Sequence, residues 1–364
     1  MHLTKLEKNI HIVPNKSITY YLNPDYIYLP LPKLYVSQNE RVYKNQILAP
    51  GIVVPISGKV IGMQKKCKVN NQNVVVIAND YKELTKNHNK KKIEVTIENI
   101  LKIVEPDSNL FGKFKSSKTY NNIVIYALND NPYVYNQIYL LKEQIMEVLE
   151  WFDKLHLVYN SSNNYLVVKN NEVNIIEECL THIGSFPNIN LSLVNDEYLL
   201  EKSYVLNEKL KLKGETLFLS VEELLKLASL FQNNLNTTKL ITISGDALEE
   251  SKVIRLKIGT PLLDALNKYF TINTNNYDII INGLMTGFIL DKIDDFFIAK
   301  DTVSINIMKK NNHSQQKCIK CGACLTICPK HLNPLNLTKG KLCLNCHLCS
   351  YICPCHINLP KRSD

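Results

Sequence analysis

The sequence predicts an α+β chain of several domains, and three observations carry that reading. Short strand patterns broken by Pro and Gly fill residues 27 to 78, strand and helix patterns alternate from 100 to 232, and a cysteine-dense tail follows. A chain of 364 residues with 45% hydrophobic content has room for two or three buried cores, which excludes global disorder.

In the first region Ile27-Tyr28-Leu29, Val53 to Gly62 and Val74 to Ile77 read as strands, giving a domain over residues 1–85. The polar run Asn87 to Lys92 reads as a solvated linker. In the second region, residues 100–232, Ile123 to Tyr126 is a buried strand. Tyr139 to Leu155 is one helix, with apolar residues at Leu140, Leu141, Ile145, Val148, Leu149 and Phe152, and Leu166 to Val168 is the next strand. A further helix runs from Val221 to Phe231, with Ser220 as N-cap and Glu222 and Glu223 in its first turn. Residues 237–308 return to strands at Leu240 to Ser244, Val253 to Ile258 and Ile279 to Ile281, with a Thr260-capped helix that has Pro261 at its first position. Two strands, a helix and further strands suit a small β-grasp module. A polar joint, Lys309 to Gln316, leads into the tail domain, residues 314–364.

Forty-three basic against 34 acidic residues give a net charge of +9, which is moderate and spread along the chain. There is no localised basic face or nucleic-acid motif, so no nucleic-acid partner is expected. No stretch approaches the ~18 apolar residues of a membrane span, and Met1 to Lys8 lacks the apolar core of a secretory signal. The expected location is the cytoplasm, with docking on the cytoplasmic face of a membrane only through a partner.

The cysteines decide the chemistry. Of eleven, nine lie between Cys318 and Cys355, a density that in a cytosolic chain means metal rather than disulfides. Cys318-x2-Cys321-x2-Cys324-x3-Cys328-Pro329 is followed by Cys343-x2-Cys346-x2-Cys349-x3-Cys353-Pro354. Both match the two-cluster ferredoxin run, in which the fourth Cys of each motif ligates the other cluster. Three thiolates two residues apart wrap one face of a cubane, with Gly322 allowing close backbone approach, and the fourth crosses to the partner. One [4Fe–4S] cluster is therefore expected on Cys318, Cys321, Cys324 and Cys353, and the other on Cys343, Cys346, Cys349 and Cys328. Paired structural zinc also uses C-x2-C, but it does not account for this longer run written twice. Cys355 reads as a spare small residue, His331, His347 and His356 as surroundings rather than ligands, and Cys67 and Cys179 as buried hydrophobes.

With these motifs placed, the chain resembles the RnfC family, a component of the Rnf electron-transport complex that is itself similar to the flavin-bearing NADH-oxidising part of respiratory complex I. The resemblance covers most of the chain. It rests on Pro55-Ile56-Ser57-Gly58-Lys59-Val60, Ile243-Ser244-Gly245-Asp246-Ala247, Ile258-Gly259-Thr260-Pro261-Leu262-Leu263, Asn282-Gly283-Leu284-Met285-Thr286-Gly287-Phe288 and the two Cys motifs. It implies a barrel-sandwich first domain, a flavin- and NADH-type α/β domain, a soluble-ligand-binding β-grasp domain and a two-cluster ferredoxin domain. Ser57-Gly58-Lys59-Val60 is also similar to biotinyl and lipoyl carriers, but Gly62-Met63-Gln64-Lys65 lacks their Met-Lys-Met, so no prosthetic arm is expected.

Two departures bear on function. Where the family has a Gly-rich loop that cradles flavin phosphate and nicotinamide nucleotide, this chain has Asp107 to Ser116 with Gly112 as its one glycine. Backbone amides approach a phosphate only where side chains are absent, so this loop is not expected to grip one, although Lys113 and Lys115 offer charge. The family's Glu-Cys-Glu-Pro-Tyr appears as Asn129-Asp130-Asn131-Pro132-Tyr133, with both flanking carboxylates replaced by amides. The expectation is an electron-transfer adaptor with two [4Fe–4S] clusters and no FMN or NADH site. The alternative implied by the resemblance is an active NADH-oxidising, FMN-containing member of an ion-translocating complex. Expected partners are redox proteins, either Rnf-type membrane subunits or a soluble reductase.

From Cys318 to Asp364 six basic residues (Lys320, Lys330, Lys339, Lys341, Lys361, Arg362) face one acid, Asp364. Two oxidised clusters with their thiolates carry roughly −2 each, which leaves a positive rim and points to an acidic partner such as a ferredoxin or flavodoxin. Reduction by an acidic ferredoxin is expected to slow as salt rises from about 20 to about 300 mM. Charge reversal at Lys339 and Lys341 flattens that slope in stopped-flow experiments. A rate indifferent to salt removes the argument for an acidic partner.

Overall fold

In the computed structural model the described residues are 17–18, 22–31, 33, 35–65, 73–86, 93–105, 108–115, 119–129, 131–271, 277–310, 317–337 and 343–359. The linker Asn87 to Lys92, Cys67, Asp107, Asp130, the end of the polar joint and the tail charges Lys339, Lys341, Lys361, Arg362 and Asp364 lie outside them. The chain is a mixed α/β fold with several sheets.

Strand β1 (Ser17–Ile18) precedes β2 (Tyr26–Pro30), β3 (Arg41–Val42), β4 (Ile47–Ala49), β5 (Ile52–Val53), β6 (Gly58–Lys65) and β7 (Asn73–Asn79). Four of these form an antiparallel sheet in the order β2-β7-β6-β3, and β4 pairs with β5. The apolar strand patterns bury Ile27, Leu29, Val60, Val75 and Ile77 in one core. Strand β1 leaves this sheet and pairs in parallel with a strand far along the chain, at Val253 and Ile254.

The second region holds α1 (Ile97–Ile103), α2 (Asn109–Lys115), β8 (Asn122–Tyr126), α3 (Asn136–Glu143), α4 (Ile145–Tyr159) and β9 (Asn163–Lys169). It continues through α5 (Val173–Ile183), β10 (Asn190–Val194), α6 (Ser203–Leu210), β11 (Thr216–Ser220) and α7 (Val221–Phe231). The four strands make an all-parallel sheet in the order β10-β9-β8-β11. Both faces are covered, as a parallel sheet requires. Ile123, Ile125, Leu166 and Leu219 face the core shared with α4 and α7, whereas Val124, Tyr126 and Val167 face Leu206 of α6.

Two local expectations are corrected here. The helix expected from Tyr139 to Leu155 is two helices, broken at Gln144 (φ −132°, ψ 33°). Asn136 of α3 donates to Leu240 and Val303 carbonyls of the next sheet, and Glu143 pairs with Arg255 at 2.6 Å. Helix α4 instead packs into the α/β core, so the two helices follow different partners. The stretch expected as a loop, Asp107 to Ser116, contains α2, which buries Leu110 and Phe114.

The third region comprises β12 (Thr238–Ser244), β13 (Lys252–Lys257), α8 (Leu262–Tyr269), β14 (Tyr277–Ile281), β15 (Phe288–Ile289) and β16 (Ser304–Lys309). Its sheet runs β1-β13-β12-β16-β14-β15, with β12 and β16 parallel at the centre and antiparallel neighbours outside. Thr260 does not cap α8. It is fully buried and its hydroxyl donates to the Lys257 carbonyl at 2.7 Å, while Pro261 occupies the cap position.

The Ser220 cap is a full capping box: Ser220 Oγ accepts from Glu223 N at 3.2 Å, and Glu223 Oε2 accepts from Ser220 N at 2.8 Å. Ser220→Ala removes one half and is expected to cost about 0.5–2 kcal/mol. The urea midpoint falls while the slope stays constant; an unchanged midpoint shows that the cap does not support this helix.

Candidate metal centre

The tail repeats its backbone as well as its sequence. Two short helices, α9 (Ala323–Ile327) and α10 (Leu348–Tyr351), follow left-handed residues Gly322 (φ 75°) and His347 (φ 55°). Lys320 and Asn345 (φ 57° and 49°) match one another in the same way, as do His331 and His356 (φ 51° each). Five of these six are not glycine, so each carries the strain of a conformation L-residues avoid. A Cβ at Gly322 would meet nothing within 4 Å, so this glycine serves the left-handed turn rather than a close approach.

These turns aim backbone amides at sulfur. Lys320 N donates to Cys318 Sγ, Asn345 N to Cys343 Sγ and Leu332 N to Cys328 Sγ, each at 3.4 Å. Such N–H···S bonds stabilise thiolate charge, the donor set an iron–sulfur cluster uses.

The eight motif cysteines line two cavities. One is lined by Cys318, Cys321, Cys324 and Cys353, with Cys355 beside them. The other, the tighter of the two, is lined by Cys328, Cys343, Cys346 and Cys349. Electrostatic neighbours divide the same way. Burial, then Cys353 and Cys318, raises the Cys324 thiol; burial, then Cys328 and Cys343, raises Cys346. Cys349 is pushed up to about 11, first by burial and then by Cys346 and Cys328. Four thiolates do not share either cavity without a cationic core to take up their charge. Among the described residues no three His, Cys, Asp or Glu converge tightly enough to hold a single metal ion.

Cys355 is 2% exposed and belongs to the apolar core of the tail. His347 Nδ1 lies 3.1 Å from the Leu359 carbonyl, so it braces the motif. Cys179 is fully buried in α5, and burial pushes its thiol up to about 12. The tail core also takes in Tyr198 and Leu199, from the segment between β10 and α6, and Met285 of the third region. No sequence signal pointed to those three as neighbours of the cysteines.

A second candidate position is the crevice where a parallel α/β sheet reverses strand order, here between the carboxyl ends of β8 and β11. This chain fills it with its own groups. Gln137 Oε1 accepts from Glu222 N at 3.1 Å, and Ser220 Oγ takes Glu223 N, so two amides at the start of α7 are occupied. Lys113 is paired with Glu223 at 2.7 Å, and Lys115 lies 5.8 Å from the Phe111 ring centre.

The altered acidic motif is equally committed. Asn129 Oδ1 accepts from Gln137 N at 3.3 Å. Asn131, 5% exposed, accepts at Oδ1 from Met285 N at 2.9 Å and donates from Nδ2 to Thr286 Oγ1 at 3.0 Å. It fits because residue 283 is glycine: a Cβ there would lie 2.3 Å from Asn131 Cγ, and the backbone is left-handed (φ 95°).

No protein-family model matches the chain. The RnfC-type component of the proton-translocating ferredoxin:NAD(+) oxidoreductase complex of Clostridium ljungdahlii is 34% identical over 102 residues, 28% of this chain and 22% of that one. Its counterpart in the ion-translocating oxidoreductase complex of Buchnera aphidicola subsp. Acyrthosiphon pisum is 24% identical over 350 residues, covering 84% of this chain and 72% of that one. The chain is a relative of RnfC. Its match to the corresponding component of the Na(+)-translocating ferredoxin:NAD(+) oxidoreductase complex of Acetobacterium woodii is 28% over 104 residues, again 28% of this chain and 23% of that one. The shorter matches thus span about a fifth of the relatives' own length. A crystal structure of an NAD+-reducing [NiFe]-hydrogenase superposes with a TM-score of 0.48 at 14% identity, over 58% of this chain and 47% of that one. No helix among the described residues of this RnfC relative is long and apolar enough to cross a membrane.

Asn131→Ala leaves the buried Met285 amide without its acceptor. The expected loss is about 1–3 kcal/mol, read as a lower denaturant midpoint; Asn131→Asp keeps the acceptor but not the donor to Thr286 and falls between. Equal stability of all three removes this joint from the account.

Proposed function

We propose that the chain is an electron-transfer subunit that holds two [4Fe–4S] clusters and has no flavin or NADH site of its own. The observation that carries this reading is the division of eight cysteine sulfurs between two adjacent cavities, each drawing three from one motif and one from the other. Cys318, Cys321, Cys324 and Cys353 would hold one cluster, and Cys343, Cys346, Cys349 and Cys328 the other. Bound there, the clusters supply one-electron transfer between redox partners.

The chain's own residues set the conditions. The amides of Lys320, Leu332 and Asn345 hold thiolate charge on Cys318, Cys328 and Cys343. Cys318 and Cys321 are exposed, with Ile319 at 64% and Leu325 at 44% beside them, whereas Cys349 is buried. The first cavity is therefore the side presented to a partner and the second the inner side. The occupied amides of α7 and the paired Lys113 support loss of the nucleotide site.

The domain plan proposed is a barrel-sandwich-like domain over 1–85, a nucleotide-type α/β scaffold over 100–232, a soluble-ligand-binding-type β-grasp over 237–308 and a two-cluster domain over 314–364. The parallel central pair β12 and β16 with antiparallel flanks supports the third of these. Other subunits of an Rnf-type complex, or a soluble reductase, are the proposed partners, met in the cytoplasm.

Anaerobic preparations are expected to contain about eight iron and eight sulfide per chain and no stoichiometric flavin. Zinc without sulfide overturns the iron–sulfur reading. NADH-dependent reduction of an artificial acceptor at about 1 to 1,000 per second overturns the adaptor reading in favour of the flavoenzyme. Cys328→Ser is expected to perturb the EPR signal of the cluster on Cys343, Cys346 and Cys349; damage confined to the Cys318, Cys321 and Cys324 cluster contradicts the crossed ligation.

A further inference from the structure

Helix α6 belongs to the α/β scaffold, yet Tyr204 at its start reaches toward the tail. Its hydroxyl is buried and has no hydrogen-bond partner within the protein. A buried hydroxyl left so costs about 1–3 kcal/mol, and the site points to a missing acceptor. Its surroundings identify that acceptor. Burial first, then Cys346, Glu201, Glu208 and Cys328, raise the Tyr204 pKa. Two of these neighbours, Cys346 and Cys328, line the second cavity, and none of them lines the first. Lys330, which lines the same cavity, places Nζ 4.4 Å from the Tyr204 ring centre and helps fix the ring's position. The scaffold is braced here, since the neighbouring Tyr198 and Leu199 sit within the tail core, Leu199 with a left-handed backbone (φ 69°).

Resting on the iron–sulfur reading above, we propose that the Tyr204 hydroxyl donates a hydrogen bond to sulfur of the cluster held by Cys328, Cys343, Cys346 and Cys349, and that this bond raises its reduction potential. Reduction adds negative charge that spreads onto the sulfurs, so a donor stabilises the reduced form more than the oxidised one. The α/β scaffold thereby sets the potential of the inner cluster without touching the outer one.

The experiment is a redox titration of the anaerobic, cluster-loaded full chain followed by EPR. In Tyr204→Phe the inner cluster becomes harder to reduce, with its oxidised-to-reduced ratio at fixed potential rising about three- to ten-fold, while the outer cluster is unchanged. Replacing Tyr204 by 2,3-difluorotyrosine, a stronger donor of the same shape, shifts the inner cluster the opposite way, and this variant decides if Tyr204→Phe loses iron. Unchanged potentials in the substituted chains, or a shift in the cluster on Cys318, Cys321 and Cys324, overturn the proposal. Eight iron and sulfide without a shift sink only the hydrogen bond, whereas a wild-type chain without sulfide sinks the cluster reading itself.

Discussion

The tail depends on one constraint: eight thiols from two motifs must be gathered into two sets, and each set must borrow a member from the other motif. Cys328 and Cys353 make that exchange, so neither motif closes alone. The apolar core of the tail is small and includes several of the cysteines among its own members. Burial raises the thiols of Cys324, Cys346 and Cys349, so an empty tail favours protonated sulfur. Metal uptake that deprotonates them is in such cases a large share of folding free energy. The left-handed turns at Lys320, Asn345, His331, His347 and His356 are conformations that persist only when the surroundings over-determine them.

The rest of the chain supplies a frame for that tail. Tyr198 and Leu199 come from a loop at the end of the parallel sheet, and Met285 from the sheet built on β12 and β16. Asn131 ties those two regions together a residue away from where Met285 meets the cysteines. The crevice at the sheet's strand reversal is closed by Gln137, Ser220 and the Lys113–Glu223 pair. Side chains that in a nucleotide site would face a ligand here hold helices against one another.

The sequence made some of this legible and hid the rest for definite reasons. Cysteine spacing is a covalent ruler, and the Ser220 cap announces α7 through residues three apart, so both read directly from the chain. Helix α2 escapes such a reading because Asn109 to Lys115 is only two turns long and contains Gly112; it exists because Leu110 and Phe114 reach the core, a tertiary fact. The break at Gln144 is invisible because the apolar spacing continues through it, and only the bonds of Asn136 and Glu143 to another sheet reveal it. Strands β10 and β11 are five residues each and lack a pattern distinctive enough to stand out. Tyr204 carries no motif, and its nearness to Cys328 and Cys346 arises only when the chain closes over long separations.

The substitution of amides for carboxylates at the old acidic motif has a consequence for how this sequence can change. A carboxylate only accepts, whereas Asn131 accepts from Met285 N and donates to Thr286 Oγ1 in the same buried spot. The adjoining glycine leaves no room for a longer side chain such as Glu. A return to an acidic residue therefore breaks an internal joint before any ligand is there to compensate. The altered motif is entrenched: its present occupants are held by the scaffold they support, and the path back to nucleotide binding runs through a less stable protein.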